Sequence, residues 1–174
     1  MSDQVRLRAY EQDDNEFLHQ LVNNPDIMDY WFAEAHYPKV LMDDMYQKNK
    51  ENKHMRSFIL AKGQEQLGLV QLVDIDFIHR RAEYTIMIDP AQQGNGYAFI
   101  ATRLAMEYAF NVLNLHKLYL LVDEVNHKAM HVYKTCGYET VATLKEEFFV
   151  NGSYHNAVIM NIFQRDYRKM TEQN

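Results

Sequence analysis

Two hydrophobic periods alternate along this chain, and the switches between them mark its elements. Val5–Ala9 alternates apolar and polar positions and predicts a strand. Behind it Phe17, Leu18, Leu21 and Val22 form a helical stripe, with Asp13 and Asp14 suited to an N-cap and an end near Asn24-Pro25. Residues 27–32 (Ile-Met-Asp-Tyr-Trp-Phe) show no clear period. They read either as a helix packed on the core or as an aromatic wall beside a substrate or a subunit contact. Pro38 opens a second helical stretch through Leu41, Met42, Met45 and Tyr46 to about residue 53, with Lys48, Lys50, Glu51 and Lys53 on a solvated face.

Period two then returns. Residues 56–61 and 66–77 read as strands joined by Lys62-Gly63-Gln64, with Gly68 marking a bulge, and His79-Arg80-Arg81 turns into a strand at 82–88. These three segments are expected to be antiparallel neighbours. A proline turn and two glycines (Asp-Pro-Ala-Gln-Gln-Gly-Asn-Gly, from Asp89) follow, and then a long helix. Its expected buried face carries Ile100, Leu104, Tyr108 and Val112, with Ala101, Ala105 and Ala109 beside them. Residues 117–122 form a buried strand reached by that helical crossover, hence parallel to 83–88. A short helix at 126–135 precedes a hairpin of 140–150 and 155–163 around Asn151-Gly152. The tail, 165–174, is polar and reads as a fraying end. Residues 1–174 thus make one α+β domain on a mixed sheet flanked by helices, with no repeat, linker or low-complexity segment.

Composition narrows the class. At 174 residues, 47% hydrophobic and 13% aromatic, the chain can bury a proper core and is not disordered. A net charge of −6 argues against general nucleic-acid binding and is compatible with a cationic small substrate. The single cysteine, Cys136, fits a reducing compartment. With no signal-like N-terminus and no apolar run of spanning length, a cytoplasmic protein away from the membrane is expected.

The strand, glycine turn and helix start around Gly94 and Gly96 form an anion site in principle, because free N–H groups and the positive helix end face the turn. The alternative is a tight helix entry and nothing more. No P-loop string and no GxGxxG are present. Gln93-Gly94-Asn95-Gly96-Tyr97-Ala98, running into Phe99, instead matches Q/R-x-x-G-x-G/A. That string resembles the pyrophosphate loop of the GNAT N-acetyltransferases, which hold the diphosphate of acetyl-CoA. A second spacing agrees with it. Asn126, Ala129, Met130 and Tyr133 share one helical face, with Lys134 beside them and Gly137-Tyr138 at the helix stop. It is similar to the superfamily's second acetyl-CoA segment. There the asparagine bonds the pantetheine arm and the tyrosine reaches the thioester sulfur as general acid, which implies those roles for Asn126 and Tyr133.

The resemblance extends over nearly the whole chain. Asn23-Asn24, Ile27-Met28, Tyr30-Trp31-Phe32, Ile78-His79-Arg80, Ala82-Glu83, Asn114-Leu115-His116-Lys117, Glu146-Glu147-Phe148-Phe149 and Asn151-Gly152 all look like bacterial spermidine N-acetyltransferases. The chain is identified as a member. This implies the acetyltransferase sandwich, with adjacent strands splayed to admit pantetheine, and a homo-oligomer, dodecamers among them. The implied reaction is direct attack of a polyamine amine on acetyl-CoA.

Such a reaction sets three demands. A primary ammonium with pKa about 10.4 must lose its proton, at a cost of about 4.6 kcal/mol at pH 7. Glu83 is the candidate base. The oxyanion needs preorganised donors, expected from backbone N–H groups of Ile86, Met87 and Ile88, which would also bind the pantetheine amides. The thiolate must leave, and full proton transfer from Tyr133 is about 2 kcal/mol uphill on reference pKa values, so a strengthening hydrogen bond is expected. An acyl-carrying Cys136 is an alternative with no readable histidine partner. An elongated polycation needs carboxylates with aromatic faces between them, expected from Met28, Tyr30, Trp31, Glu34, Asp74, Glu83, Tyr84 and Thr85. Relatives carry an acidic pair where this chain has Ala33-Glu34, an acidic residue near Leu41, and a histidine-bearing segment at 49–52, here Asn-Lys-Glu-Asn. Those positions contribute to a regulatory polyamine site, and in some members to a metal site, so the regulatory site is expected to be weakened or altered. The eight histidines show no paired metal spacing, and no metal is expected. Rival readings are an acetyltransferase for a protein N-terminus or an aminoglycoside, and a non-catalytic sensor of acetyl-CoA or polyamine.

Overall fold

The computed structural model describes residues 4–172. Seven strands form one sheet in the order β1-β2-β3-β4-β5-β7-β6. They are β1 (Val5–Ala9), β2 (Arg56–Lys62), β3 (Glu65–Asp76), β4 (Arg81–Ile88), β5 (Lys117–Asp123), β6 (Glu139–Val150) and β7 (Ser153–Phe163). All neighbours are antiparallel except β4 and β5. That parallel pair follows from the helical crossover between them, since a tight turn cannot join parallel strands. It is short, with register only at Arg81–Lys117, Ala82–Leu118 and Glu83–Tyr119.

Alternation along β4 and β5 separates two cores. Ala82, Tyr84, Leu118, Leu120 and Val122 turn to the face covered by α4 (Tyr97–Glu107). Met87 turns to the opposite face and packs with Met28, Leu18, Leu21 and Met42. These belong to α2 (Pro25–Met28), α1 (Asn15–Val22) and α3 (Lys39–Glu51). On α4 and the turn that ends it, Ala101, Ala105 and Ala109 are fully buried, with the larger Met106 and Phe110 beside them. Val112, expected on that face, is 65% exposed. The helix ends in a π turn over Tyr108–Val112, whose extra residue per turn rotates the phase and leaves Val112 outside.

Other expectations change in detail. The bulge near Gly68 is present: the β2–β3 register steps between Leu60 and Ala61. Glycine is needed because a Cβ there would lie 2.2 Å from the Met87 carbonyl oxygen. The β3 strand stops at Asp76 and not Phe77, because the Asp76 carboxylate accepts the N–H groups of Ile78 and His79 and turns the chain. Of the α3 stripe only Met42 is buried; Leu41 and Met45 are 40% and 37% exposed. Residues 27–32 pack on the core at one end and leave it at the other. Asn24 caps α2 by accepting from Asp26 N–H, Ile27 and Met28 fill the core, and a 3-10 turn over Asp29–Trp31 carries the aromatics outward.

The tail does not fray over its described part. Gln164–Glu172 form α6. Among its charges, Gln164, Tyr167 and Met170 recur every three residues. Tyr167 is buried, Gln164 Nε2 donates to Phe110 O at 2.8 Å, and Met170 lies against Gly137. Residues 173–174 of that expected tail lie outside the described residues.

Candidate active site

Beyond Glu83 and Tyr119 the two strands diverge, and the β5 side of β4 has no ladder partner. Which backbone groups face the gap follows from alternation. Asp89 N–H donates to Leu67 O at 2.9 Å, so the odd-numbered residues of β4 direct their backbone at β3. Ile86 and Ile88 direct theirs into the gap, where the Trp31 indole donates to Ile86 O at 3.1 Å. The expectation of three free N–H groups is therefore corrected at Met87. Its backbone faces β3 and its side chain is in the core, 3% exposed.

The turn after β4 is braced from within. The Asp89 carboxylate accepts from Ala91 N–H at 3.0 Å, and Asn95 Nδ2 donates to Gln92 O at 3.1 Å. Gly94 and Gly96 have φ of 83° and 77°, a region that L side chains rarely adopt. Nothing lies within 4 Å of a Cβ at either, so it is the dihedral and not crowding that demands glycine. Gly96 is the N-cap of α4, and Ile100 N–H closes the first helical hydrogen bond back to Gly96 O. The N–H groups of Tyr97, Ala98 and Phe99 consequently have no intrahelical acceptor. Gln93, Gly94, Asn95 and Gly96 are exposed, as the edge of an anion site must be.

Across the gap stands α5 (His127–Thr135). Asn126 Oδ1 caps it by accepting Ala129 N–H at 3.2 Å, leaving the amide nitrogen to donate elsewhere. Ala129, Met130 and Tyr133 pack against the core, and Lys134 is exposed. The Tyr133 ring meets Tyr84 edge-on at 6.3 Å and Tyr138 at 5.9 Å. Its hydroxyl has no hydrogen-bond partner among the described residues. Burial, then the neighbouring Cys136, raises its pKa well above the ordinary tyrosine value. Burial likewise pushes the Cys136 thiol up to about 11, and its Sγ lies 4.0 Å from Phe99 O. A protonated, fully buried thiol is a poor nucleophile.

The opposite face of the sheet carries Glu83 and Thr85, on the same side as Met87. Burial first, and Asp74 second, raises the Glu83 carboxyl above its ordinary pKa. Asp74 is exposed at φ 50°, where the β3 register breaks between Val73 and Asp76. Tyr119, the cross-strand partner of Glu83, is raised by burial, then by Glu83 and Asp74, so the three share one field. Sequence reading missed Tyr119. The available signal was its polar hydroxyl in an otherwise aliphatic strand, opposite the proposed base. Thr85 Oγ1 is buried without a partner among the described residues.

Three expected substrate residues are placed differently. Tyr84 faces the α4 core and donates to Thr102, which donates to Ala98 O, so its side chain lines no cleft. Met28 is 2% exposed and supports the site from below. Glu34 is exposed and is not among the charges acting on Glu83. A wall is closed by two contacts that the sequence did not show. Phe32, at φ 55°, stacks on Phe148 at 3.6 Å and 7°, and Asn151 Nδ2 donates to Asp29 at 2.5 Å. Together they tie the segment after α2 to the β6–β7 hairpin.

A model of the acetyltransferase (GNAT) domain matches residues 4–139. The chain belongs to this family. Its relatives extend the match beyond that domain model. A spermidine N(1)-acetyltransferase of Escherichia coli is 47% identical over 163 residues, 94% of this chain and 88% of that protein. A spermidine N(1)-acetyltransferase of Vibrio cholerae is 42% identical over 99% of this chain and 100% of its own length. The crystal structure of spermidine N-acetyltransferase from Vibrio cholerae in complex with CoA and spermine matches with a TM-score of 0.93 at 42% identity. It covers 95% of this chain and 98% of that one.

GNAT acetyltransferases use acetyl-CoA, and the parts described here fit it. An open glycine loop at a helix N-terminus suits a diphosphate, and a strand edge with free backbone at Ile86 and Ile88 suits an amide-bearing arm. Among the described residues no group of three or more His, Cys, Asp or Glu is placed to hold a metal. No helix among them is long and apolar enough to cross a membrane.

Proposed function

We propose that this chain acetylates an amino group of spermidine or spermine by direct attack on acetyl-CoA in a ternary complex, the whole chain acting as one domain. The observation that carries the proposal is the parting of β4 from β5 at Glu83 and Tyr119, which sets a half-buried carboxylate at the mouth of the gap between them. Acetyl-CoA supplies the acetyl thioester. Gly94, Gly96 and the first N–H groups of α4 hold its diphosphate, with Gln93 and Asn95 at the rim. Ile86 and Ile88 pair with its pantetheine arm, to which the Asn126 amide also donates. The second lone pair of Ile86 O stays available beside Trp31.

Glu83 takes the amine proton. Its raised pKa makes it a better base than an ordinary glutamate, and Asp74 and Tyr119 hold neighbouring charge or hydrogen bonds on the polyamine. Tyr133, held protonated by burial, donates to the departing sulfur. With its pKa raised further from that of a thiol, a strengthening hydrogen bond is favoured over complete transfer. The buried, protonated Cys136 supports direct attack over an acyl-enzyme.

The groove between α3 and β2 is lined by Lys50, Lys53 and Arg56, with Glu51 as its acidic residue. Three cations there repel a polycation, which supports an altered regulatory polyamine site and hyperbolic spermine kinetics. A sigmoidal spermine curve would contradict that reading. Exposed Val40, Leu41, Val141 and Phe149 support a homo-oligomer. A lone buried thiol supports a reducing, cytoplasmic setting. The deciding experiment is thiol release from acetyl-CoA with spermidine, spermine, putrescine, an aminoglycoside and a basic peptide. Turnover with spermidine and spermine alone is expected. Turnover only with the peptide or aminoglycoside moves the chain to another acceptor class, and acetyl-CoA binding without turnover marks a sensor.

A further inference from the structure

The acceptor face of the sheet carries a second polar station that the reaction at Glu83 leaves unused. His155 Nδ1 lies 2.5 Å from the Asp123 carboxylate, and His155 Nε2 lies 3.1 Å from Ser153 Oγ. The Asp123 side chain is 2% exposed and its other oxygen accepts Val125 N–H, so its position is fixed from two directions. His155 is 24% exposed at its side chain.

Alternation puts this pair on the same face as the base. On β5, Leu118, Leu120 and Val122 belong to the α4 core, so Tyr119, Leu121 and Asp123 face the other way. On β7, Val158, Met160 and Ile162 belong to that core, which turns His155 to the same side as Asp123. Tyr119 is the cross-strand partner of Glu83, and Asp123 lies four residues further along β5. At about 3.3 Å per residue Tyr119 and Asp123 are about 13 Å apart along β5, the scale of an extended triamine, with Glu83 and His155 on the strands to either side. Phe148 is the β6 partner of His155 and carries the stack with Phe32, so the station lies beside the wall described above.

We propose that His155, oriented by Asp123, binds a distal nitrogen of the polyamine while the amine being acetylated sits at Glu83. This assignment rests on the acetyl-transfer reading of the site. With Nδ1–H given to the buried Asp123 carboxylate, Nε2 is an acceptor and can take an N–H from an ammonium. Ser153 does not block it. Its hydroxyl has a second acceptor in Val150 O at 3.3 Å, so its proton can turn there when an ammonium arrives. Asp123 leaves a net negative charge behind the ring, which favours a cation at Nε2. Asp123 is thus a positioning residue and His155 a substrate-binding one. Length selectivity follows: a short diamine reaches Glu83 but not His155.

The test is steady-state kinetics of wild type, His155→Ala, His155→Gln and Asp123→Asn with acetyl-CoA, using spermidine and 1,3-diaminopropane as acceptors. The assignment predicts that His155→Ala raises the spermidine KM by about tenfold or more, with kcat, the acetyl-CoA KM and diaminopropane kinetics within about twofold. Partial recovery is expected in His155→Gln, whose amide oxygen can accept. Asp123→Asn follows His155→Ala in direction and not in size. Wild-type turnover of spermidine with an unchanged KM in His155→Ala overturns the assignment and leaves the reaction intact. Equal losses on both amines also overturn it, because they report a structural role. Wild-type protein that acetylates neither amine overturns the acetyl-transfer reading itself, and this assignment with it.

Discussion

At Tyr133 and Glu83 one physical cause, burial, produces opposite chemical readiness. Burial keeps the Tyr133 hydroxyl protonated, as a donor to sulfur needs, and makes the Glu83 carboxylate more basic, as a proton acceptor needs. Tyr133→Phe removes only the donor. Turnover is expected to fall by about tenfold or more with the acetyl-CoA KM held within about twofold, as measured by thiol release. Unchanged turnover would remove Tyr133 from the mechanism. For Glu83 activity and stability oppose each other. Its folded-state pKa is raised, so its contribution to stability is fully present below the unfolded carboxyl range and is lost as pH rises through the raised value. Glu83→Gln should therefore raise the Tm at pH 7, with the gain shrinking below about pH 4, while turnover drops and the acid limb of kcat/KM disappears. A lower Tm at pH 7 would contradict the burial argument.

Among the elements, the glycine turn and its helix were legible before any coordinates, because glycine spacing and apolar period are local properties. The splay was not. It depends on where β5 leaves β4, a long-range fact, and the resemblance supplied it where periodicity was silent. The same limit explains Tyr84, whose neighbour Thr102 lies a crossover away, and the Phe32–Phe148 stack, whose partners are 116 positions apart in sequence. α6 was misread for another reason. A spacing of three apolar or amide residues was present, but charge dominated the segment average. At the turn itself, Gly96→Ala puts a Cβ on a left-handed residue and should cost about 1 kcal/mol or more of stability. If the loop holds the diphosphate, the acetyl-CoA KM rises and the spermidine KM does not. A change confined to spermidine would move the loop's role to the acceptor.

For the molecule as a whole, the N-terminal strand is pinned to the site-bearing half by one buried acid. Burial pushes the Asp14 carboxyl upward, but hydrogen bonds from Arg8, Glu11 N–H and Gln66 outweigh it, and the net pKa is lowered. A lowered folded pKa stabilises above the unfolded value and is lost as pH falls through the folded one. Acid unfolding should therefore begin below about pH 4. Arg8→Met, which leaves that buried charge without its ion-pair partner, should cost about 3 kcal/mol at pH 7 by denaturant unfolding and lessen the acid dependence. An unaltered midpoint would show the pair to be ornamental. Whether one open gap brings acetyl-CoA and a polyamine together for direct transfer is read from initial rates with both substrates varied. Double-reciprocal lines for acetyl-CoA at several spermidine concentrations are expected to intersect, as a ternary complex requires. Parallel lines would mean an acetyl group carried on the protein, and would contradict direct attack.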